Sequence, residues 1–219
     1  MVIYMSRTVR IGIGGAIGCG KTELIEKLVP KLAEKGFVVG AISNDVYSRE
    51  DALRLAARLG EDVIDPSLII GIETGGCPHT AVRDDPSMNL AAAEKMEKEH
   101  PDLDVILIES GGDNITLTFS PRLADYFIYM VDVAGGDKTV RKGGLGIKKS
   151  DLLIINKIDL APYVESTILD SGVKTANVDL MQQDAEKLRE GRPTALVSLK
   201  DGTGLDDVVT ILRERAIFR

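Results

Sequence analysis

Eight consecutive residues, Gly15-Ala16-Ile17-Gly18-Cys19-Gly20-Lys21-Thr22, satisfy the pattern G-x-x-x-x-G-K-[ST]. Gly15, Gly18 and Gly20 let backbone N–H groups turn inward around phosphate oxygens, and a helix starting there adds its N-terminal positive potential. Lys21 is placed to reach the β- and γ-phosphates of a nucleoside triphosphate, and Thr22 to bind Mg²⁺ through its hydroxyl. Cys19 fills a variable loop position as a small side chain; beside phosphate-binding amides its thiol could also be acidified. The chemistry this implies is phosphoryl transfer, either to water or to an acceptor.

A second group, Asn156-Lys157-Ile158-Asp159, follows an apolar run and resembles the base-reading motif of GTPases. An ionised Asp159 can accept two bonds from the ring N–H and exocyclic amine of guanine. Adenine has no donors there and would leave the carboxylate poorly satisfied, at a cost of about 1–3 kcal/mol. Lys157 can lay its aliphatic stem along the base, and Ser198-Leu199-Lys200 reads as a last base-contacting loop. A small-molecule kinase would share the phosphate loop without needing Asn156, Lys157 and Asp159, so release of phosphate to water separates the two classes.

Cys77 and His79 stand two positions apart across Pro78, which stiffens the turn so that both could face one site. Thiolate plus imidazole suits borderline-soft ions, Ni²⁺ or Zn²⁺, a square-planar arrangement favouring the first and a tetrahedral one admitting the second. Two ligands are too few for a closed site, but a two-fold homodimer would present two of each at its axis. Taken alone, Cys77-Pro78-His79 also reads as an ordinary turn. The other histidine, His100, falls at the polar end of a helical stretch and reads as a surface or capping residue.

These groups need a scaffold, and the hydrophobic pattern supplies one. Apolar runs of strand length cover Val9–Ile13, Phe37–Ile42, Leu68–Ile72, Val105–Ile108, Tyr126–Val133, Leu152–Ile155 and Ala195–Leu199. They lack alternation, as expected of strands buried on both faces. Leu24, Ile25, Leu28 and Leu32 mark a first helix, in which Pro30 predicts a kink. Ser48 with Asp51 reads as a capping box before Ala52–Leu59. Asp85 and Pro86 read as N-cap and first residue of a helix reaching about Glu99. Thr203 and Asp206 open a last helix with Leu205, Val208, Val209 and Leu212 inward. The sequence therefore predicts an α/β fold: a doubly wound, mostly parallel sheet with helices on both faces, forming one domain over residues 1–219.

Glycine is in excess, 22 residues including five Gly-Gly pairs, several directly after apolar runs, which suits backbone lining a ligand. A formal charge of −7 argues against a nonspecific nucleic-acid or anionic-membrane surface. No apolar run approaches the ~20 residues of a membrane helix, and the N-terminal stretch lacks a signal-peptide pattern. Cys19 and Cys77, both in glycine-rich segments, read as reduced thiols, and the chain as cytoplasmic.

Longer segments point to a known family. Glu73-Thr74-Gly75-Gly76-Cys77-Pro78-His79-Thr80-Ala81, Ser87-Met88-Asn89-Leu90-Ala91-Ala92, Ile108-Glu109-Ser110-Gly111-Gly112-Asp113-Asn114 and Asp132-Val133-Ala134-Gly135-Gly136-Asp137-Lys138 resemble the UreG family, urease accessory GTPases that help deliver nickel. The resemblance implies a P-loop GTPase of the signal-recognition-particle/MinD-like class that uses GTP, Mg²⁺ and Ni²⁺. It implies a homodimer formed on binding GTP and nickel, and partnership with other urease accessory proteins and the urease apoprotein. Cys77 and His79 are similar to the family's metal ligands. Asp45 and Glu73 look like carboxylates near Mg²⁺ and the switch regions, with Asp45 joining Lys21 and Thr22 in catalysis. Glu109 stands where a Walker-B-like acid would, and ranks third of the three acids. No arginine finger is identifiable, so slow hydrolysis without partners is expected. A hydrogenase-maturation nickel GTPase of the HypB kind, and a guanine-nucleotide-dependent scaffold without metal transfer, are the alternatives.

Overall fold

In the computed structural model, all seven apolar runs become strands of one sheet: β1 (Val9–Gly15), β2 (Val39–Asp45), β3 (Ile69–Glu73), β4 (Val105–Glu109), β5 (Tyr126–Asp132), β6 (Leu152–Asn156) and β7 (Thr194–Leu196). The order is β3-β2-β4-β1-β5-β6-β7 and every pairing is parallel. The structure describes residues 7–45, 50–75, 79–112, 116–164 and 176–218, with the side chains of Asp45, Glu50 and Asp51 left out. Ser48 of the expected capping box and Cys77 lie outside the described residues.

Every residue of β4 and β6 is buried, which is why their sequences show no alternation. The helices that cover them are α1 (Lys21–Ala33), α2 (Glu50–Leu59), α3 (Ser87–Glu99), α4 (Lys138–Lys142), α5 (Leu145–Lys149), α6 (Val178–Arg189) and α7 (Leu205–Leu212). Right-handed crossovers put α1 and α2, which follow strands stepping one way, on one face; α3, α5 and α6, whose connections step back, take the other. Contacts of α1 with α2 and α7, and of α6 with α4 and α5, agree with that division. Among the described residues no helix is long and apolar enough to cross a membrane.

Local signals were placed to within a residue. Asp85 Oδ1 accepts from Ser87 N at 3.3 Å, but Leu90 N closes on Pro86 O, so Pro86 rather than Asp85 is the N-cap and α3 starts one residue later than expected. Leu205, Val208, Val209 and Leu212 are all buried in α7. Pro30 sits inside α1, which runs on only to Ala33, where Glu34 N closes on Pro30 O at 2.9 Å.

One buried cation ties the far end of the sheet together. Arg189, 0% exposed, donates through Nη1 to Ile147 O and to Ser150 Oγ (2.8 Å), and through Nη2 to Ser150 O and Pro193 O (3.0 Å each). It thereby joins the entries to β6 and β7. Burial, then Arg192, pushes its pKa down to about 10, so it remains charged at neutral pH. Arg189→Met would leave these carbonyls without donors and should lower unfolding free energy by about 3 kcal/mol, read by urea denaturation. Nearby, burial pushes the Tyr126 hydroxyl up to about 12. The fold therefore disfavours the phenolate, and stability falls as pH rises from about 10, the unfolded value, through 12. Tyr126→Phe should flatten that alkaline decline in thermal melts.

Candidate functional site

The parallel sheet gathers functional side chains at one edge because all its strands end there. Gly15 closes β1, Asp45 β2, Glu73 β3, Glu109 β4, Asp132 β5 and Asn156 β6. The chain steps toward β3 after β1 and toward β7 after β5, so the switch point lies at β1, where open α/β sheets bind ligands.

The phosphate loop leaves β1 at Gly15 and becomes α1 at Lys21. Gly20, at φ 102°, turns the chain into the helix, whose first bond runs from Leu24 N to Gly20 O at 2.8 Å. That leaves the N–H groups of the first turn for an anion. A Cβ on Gly20 would also lie 2.5 Å from Asn156 Nδ2. Gly20→Ala combines left-handed strain with that collision and should weaken nucleotide affinity by at least about 10-fold in titration calorimetry.

Lys21 is buried in the loop and donates through Nζ to Gly15 O (2.9 Å) and Ala16 O (3.2 Å). An ammonium carries three donors, so one is left for a phosphate oxygen. Thr22 Oγ1 donates to Glu109 Oε1 at 2.7 Å, and Ser43 Oγ approaches Glu109 Oε2 at 3.5 Å. Hydroxyl and carboxylate oxygens at a helix N-terminus are the ligands a hard Mg²⁺ takes. Cys19 carries a thiol that is 1% exposed and packed into the core, the surroundings of a small structural cysteine.

The base loop is fastened to the phosphate loop. Asn156, 1% exposed, donates through Nδ2 to Cys19 O at 2.9 Å and accepts Leu199 N at 3.2 Å. One amide thus joins the phosphate loop, the end of β6 and the Ser198-Leu199-Lys200 segment. Lys157 holds the left-handed conformation (φ 60°), and its Nζ reaches Gly18 O at 2.6 Å and Asp132 Oδ2 at 3.1 Å. Its stem therefore bridges the two loops. Gly18, exposed and at φ 78°, presents that carbonyl. Asp159 follows, half-buried, in the turn Ile158–Tyr163.

Of the three acids, the side chains of Glu109 and Glu73 are described. Glu109 touches Thr22 because β4 is the immediate neighbour of β1, whereas Glu73 ends the edge strand β3 and is exposed. Asp45 pairs in register with Glu73, one strand nearer to β1. Asp132 belongs to neither loop motif, and its signal is its place at the end of β5, in register with Asn156. His79 is half-buried and caps the turn Thr80–Asp84. Among the described residues no three His, Cys, Asp or Glu side chains gather to hold a metal ion.

Residues 9–188 match the family model described as CobW/HypB/UreG, nucleotide-binding domain. The chain is 53% identical over 206 residues to the urease accessory protein UreG of Cenarchaeum symbiosum, covering 93% of this chain and 91% of the relative. It is 49% identical over 214 residues to urease accessory protein UreG 2 of Methylorubrum populi, covering 98% and 94%. Among solved structures, the hydrogenase maturation factor HypB from Archaeoglobus fulgidus superposes with a TM-score of 0.72 at 28% identity, covering 94% of this chain and 89% of that one. HypB from Helicobacter pylori in complex with nickel gives 0.75 at 24% identity, covering 95% and 86%, a likeness of fold. The chain belongs to the CobW/HypB/UreG nucleotide-binding family, within which its relatives at about half identity over nearly the full length are the urease accessory proteins UreG.

Proposed function

We propose that this chain is a GTP-hydrolysing nickel carrier for urease maturation, which holds the ion between two copies of itself when GTP is bound. The observation that supports the nucleotide half is the fastening of Asn156 and Lys157 onto Cys19 O and Gly18 O, which ties the loop that carries Asp159 to the loop that carries Lys21. Asp159 would read guanine, the stem of Lys157 would lie along the base, and Lys21 with the first-turn amides of α1 would grip the phosphates. Thr22 and Glu109 would hold Mg²⁺, with Asp45 and Glu73 as further carboxylates at the same edge. When bound, that ion neutralises charge developing on the phosphates.

The nickel half is supported by the name shared by the curated relatives and by the ligand chemistry of Cys77 and His79. One thiol and one imidazole per chain call for a second copy, and GTP is the natural clamp because its γ-phosphate orders segments that hydrolysis releases. The HypB-like alternative is less favoured, since the HypB structure from Archaeoglobus fulgidus shares 28% identity against 53% for the UreG relative. Equilibrium dialysis with Ni²⁺ tests the proposal. One tightly held ion per pair of chains is expected with a non-hydrolysable GTP analogue and none with GDP. Guanine-nucleotide binding with no nickel uptake would leave a scaffold instead.

A further inference from the structure

Between the phosphate end of the site and the segment beginning at His79 lies a buried pair of side-chain amides. Asn44, next to last in β2, is 3% exposed, and Asn89, in the first turn of α3, is 0% exposed. They bond each other twice: Asn44 Nδ2 donates to Asn89 Oδ1 at 3.0 Å, and Asn89 Nδ2 donates to Asn44 Oδ1 at 2.8 Å. Each amide has one more N–H to place. Asn44 gives it to Glu109 O at 2.7 Å and Asn89 to Ala81 O at 2.9 Å. Those two carbonyls fix the orientation of both amides, because a flip would set oxygen against oxygen.

The groups at the two ends give the pair its meaning. At one end is the main chain of Glu109, whose carboxylate accepts the Thr22 hydroxyl. At the other is the carbonyl two residues after His79, within the turn Thr80–Asp84, where Val82 O also accepts Ser120 N at 2.9 Å. A displacement of Glu109 that Asn44 did not follow would strand a buried N–H, and the same holds for Asn89 and Ala81. The four groups are therefore held to move together.

Resting on the nucleotide reading above, we infer that Asn44 and Asn89 are positioning residues that couple the nucleotide state at Thr22 and Glu109 to the placement of His79. The chain has two histidines, so a His100→Gln background leaves the His79 ring signals alone in proton–nitrogen NMR spectra. These are recorded without nickel, once with Mg-GDP and once with a non-hydrolysable Mg-GTP analogue. The His79 signals are expected to differ between the two states, and the side-chain NH₂ signals of Asn44 and Asn89 to shift with them. In N44L/N89L, where an apolar pair replaces both amides, both nucleotides should still bind and the His79 difference should disappear. Retention of the full difference in that variant overturns the coupling. Should the variant fail to fold, the unsubstituted amides decide: Asn44 and Asn89 signals that stay put while His79 moves also overturn it. Nucleotide binding with no change at His79 overturns this inference alone, whereas absence of binding overturns the underlying reading with it.

Discussion

Asp159→Asn lowers affinity for GTP on the order of 10³-fold and brings xanthosine triphosphate into the micromolar-to-millimolar range that GTP then occupies, as titration calorimetry will show. The carboxylate of Asp159 offers two acceptors to the two adjacent donors of guanine. An amide offers one acceptor, and its NH₂ opposes the exocyclic amine, so one bond is lost and a donor–donor conflict appears. Xanthine carries a carbonyl where guanine carries that amine, which the new NH₂ can satisfy. The substitution leaves the loop's fastenings intact, since Asn156 to Cys19 O and Lys157 to Gly18 O do not involve residue 159. Melting temperature should therefore change little. Unchanged GTP affinity in this variant would remove the assignment of guanine as the base.

Cys77→Ala is expected to abolish the proposed nickel-dependent pairing of the chain while leaving GTP affinity nearly as it was. The thiolate is the soft ligand of the proposed set, and losing it from both copies removes half of the donors at once. The proposed nucleotide contacts come from Gly15–Thr22 and Asn156–Asp159, neither of which includes residue 77. Gel filtration with GTP, with and without Ni²⁺, reads the result directly. A variant that still pairs on nickel refutes the ligand assignment. Nickel uptake by the unsubstituted chain should also weaken as the pH falls, because thiol and imidazole must both give up protons before they can bind.

Much of this was legible in the residues themselves because strands buried on both faces of a parallel sheet read as unbroken apolar runs. All seven strands were visible as unbroken apolar runs, and the phosphate loop announced both the end of β1 and the start of α1. What the runs could not reveal was which strands lie side by side. Glu109 outranks Glu73 in proximity to Thr22 only because β4 inserts between β1 and β2 while β3 is pushed to the edge. The same limit hid Asn44 and Asn89, 45 residues apart, and Asp132 beneath Lys157, 25 residues away. Arg189 was hidden differently: in sequence it looks like an ordinary basic residue in the last turn of α6, and its burial depends on three carbonyls from two other segments, α5 with its C-cap and the entry to β7. Periodicity reports which face a residue takes, whereas such contacts depend on tertiary closure.

The amide of Asn156 spans the seam between two halves of one cradle, and this constrains what can bind there. The loss of translational and rotational freedom on binding is nearly the same whether the whole nucleotide or a fragment arrives. Guanosine or inorganic triphosphate alone would bear that cost with only half of the proposed contacts, so each is expected to be a poor ligand whose separate affinity understates that of the joined molecule. Any competitor for this cradle has to reach across the seam.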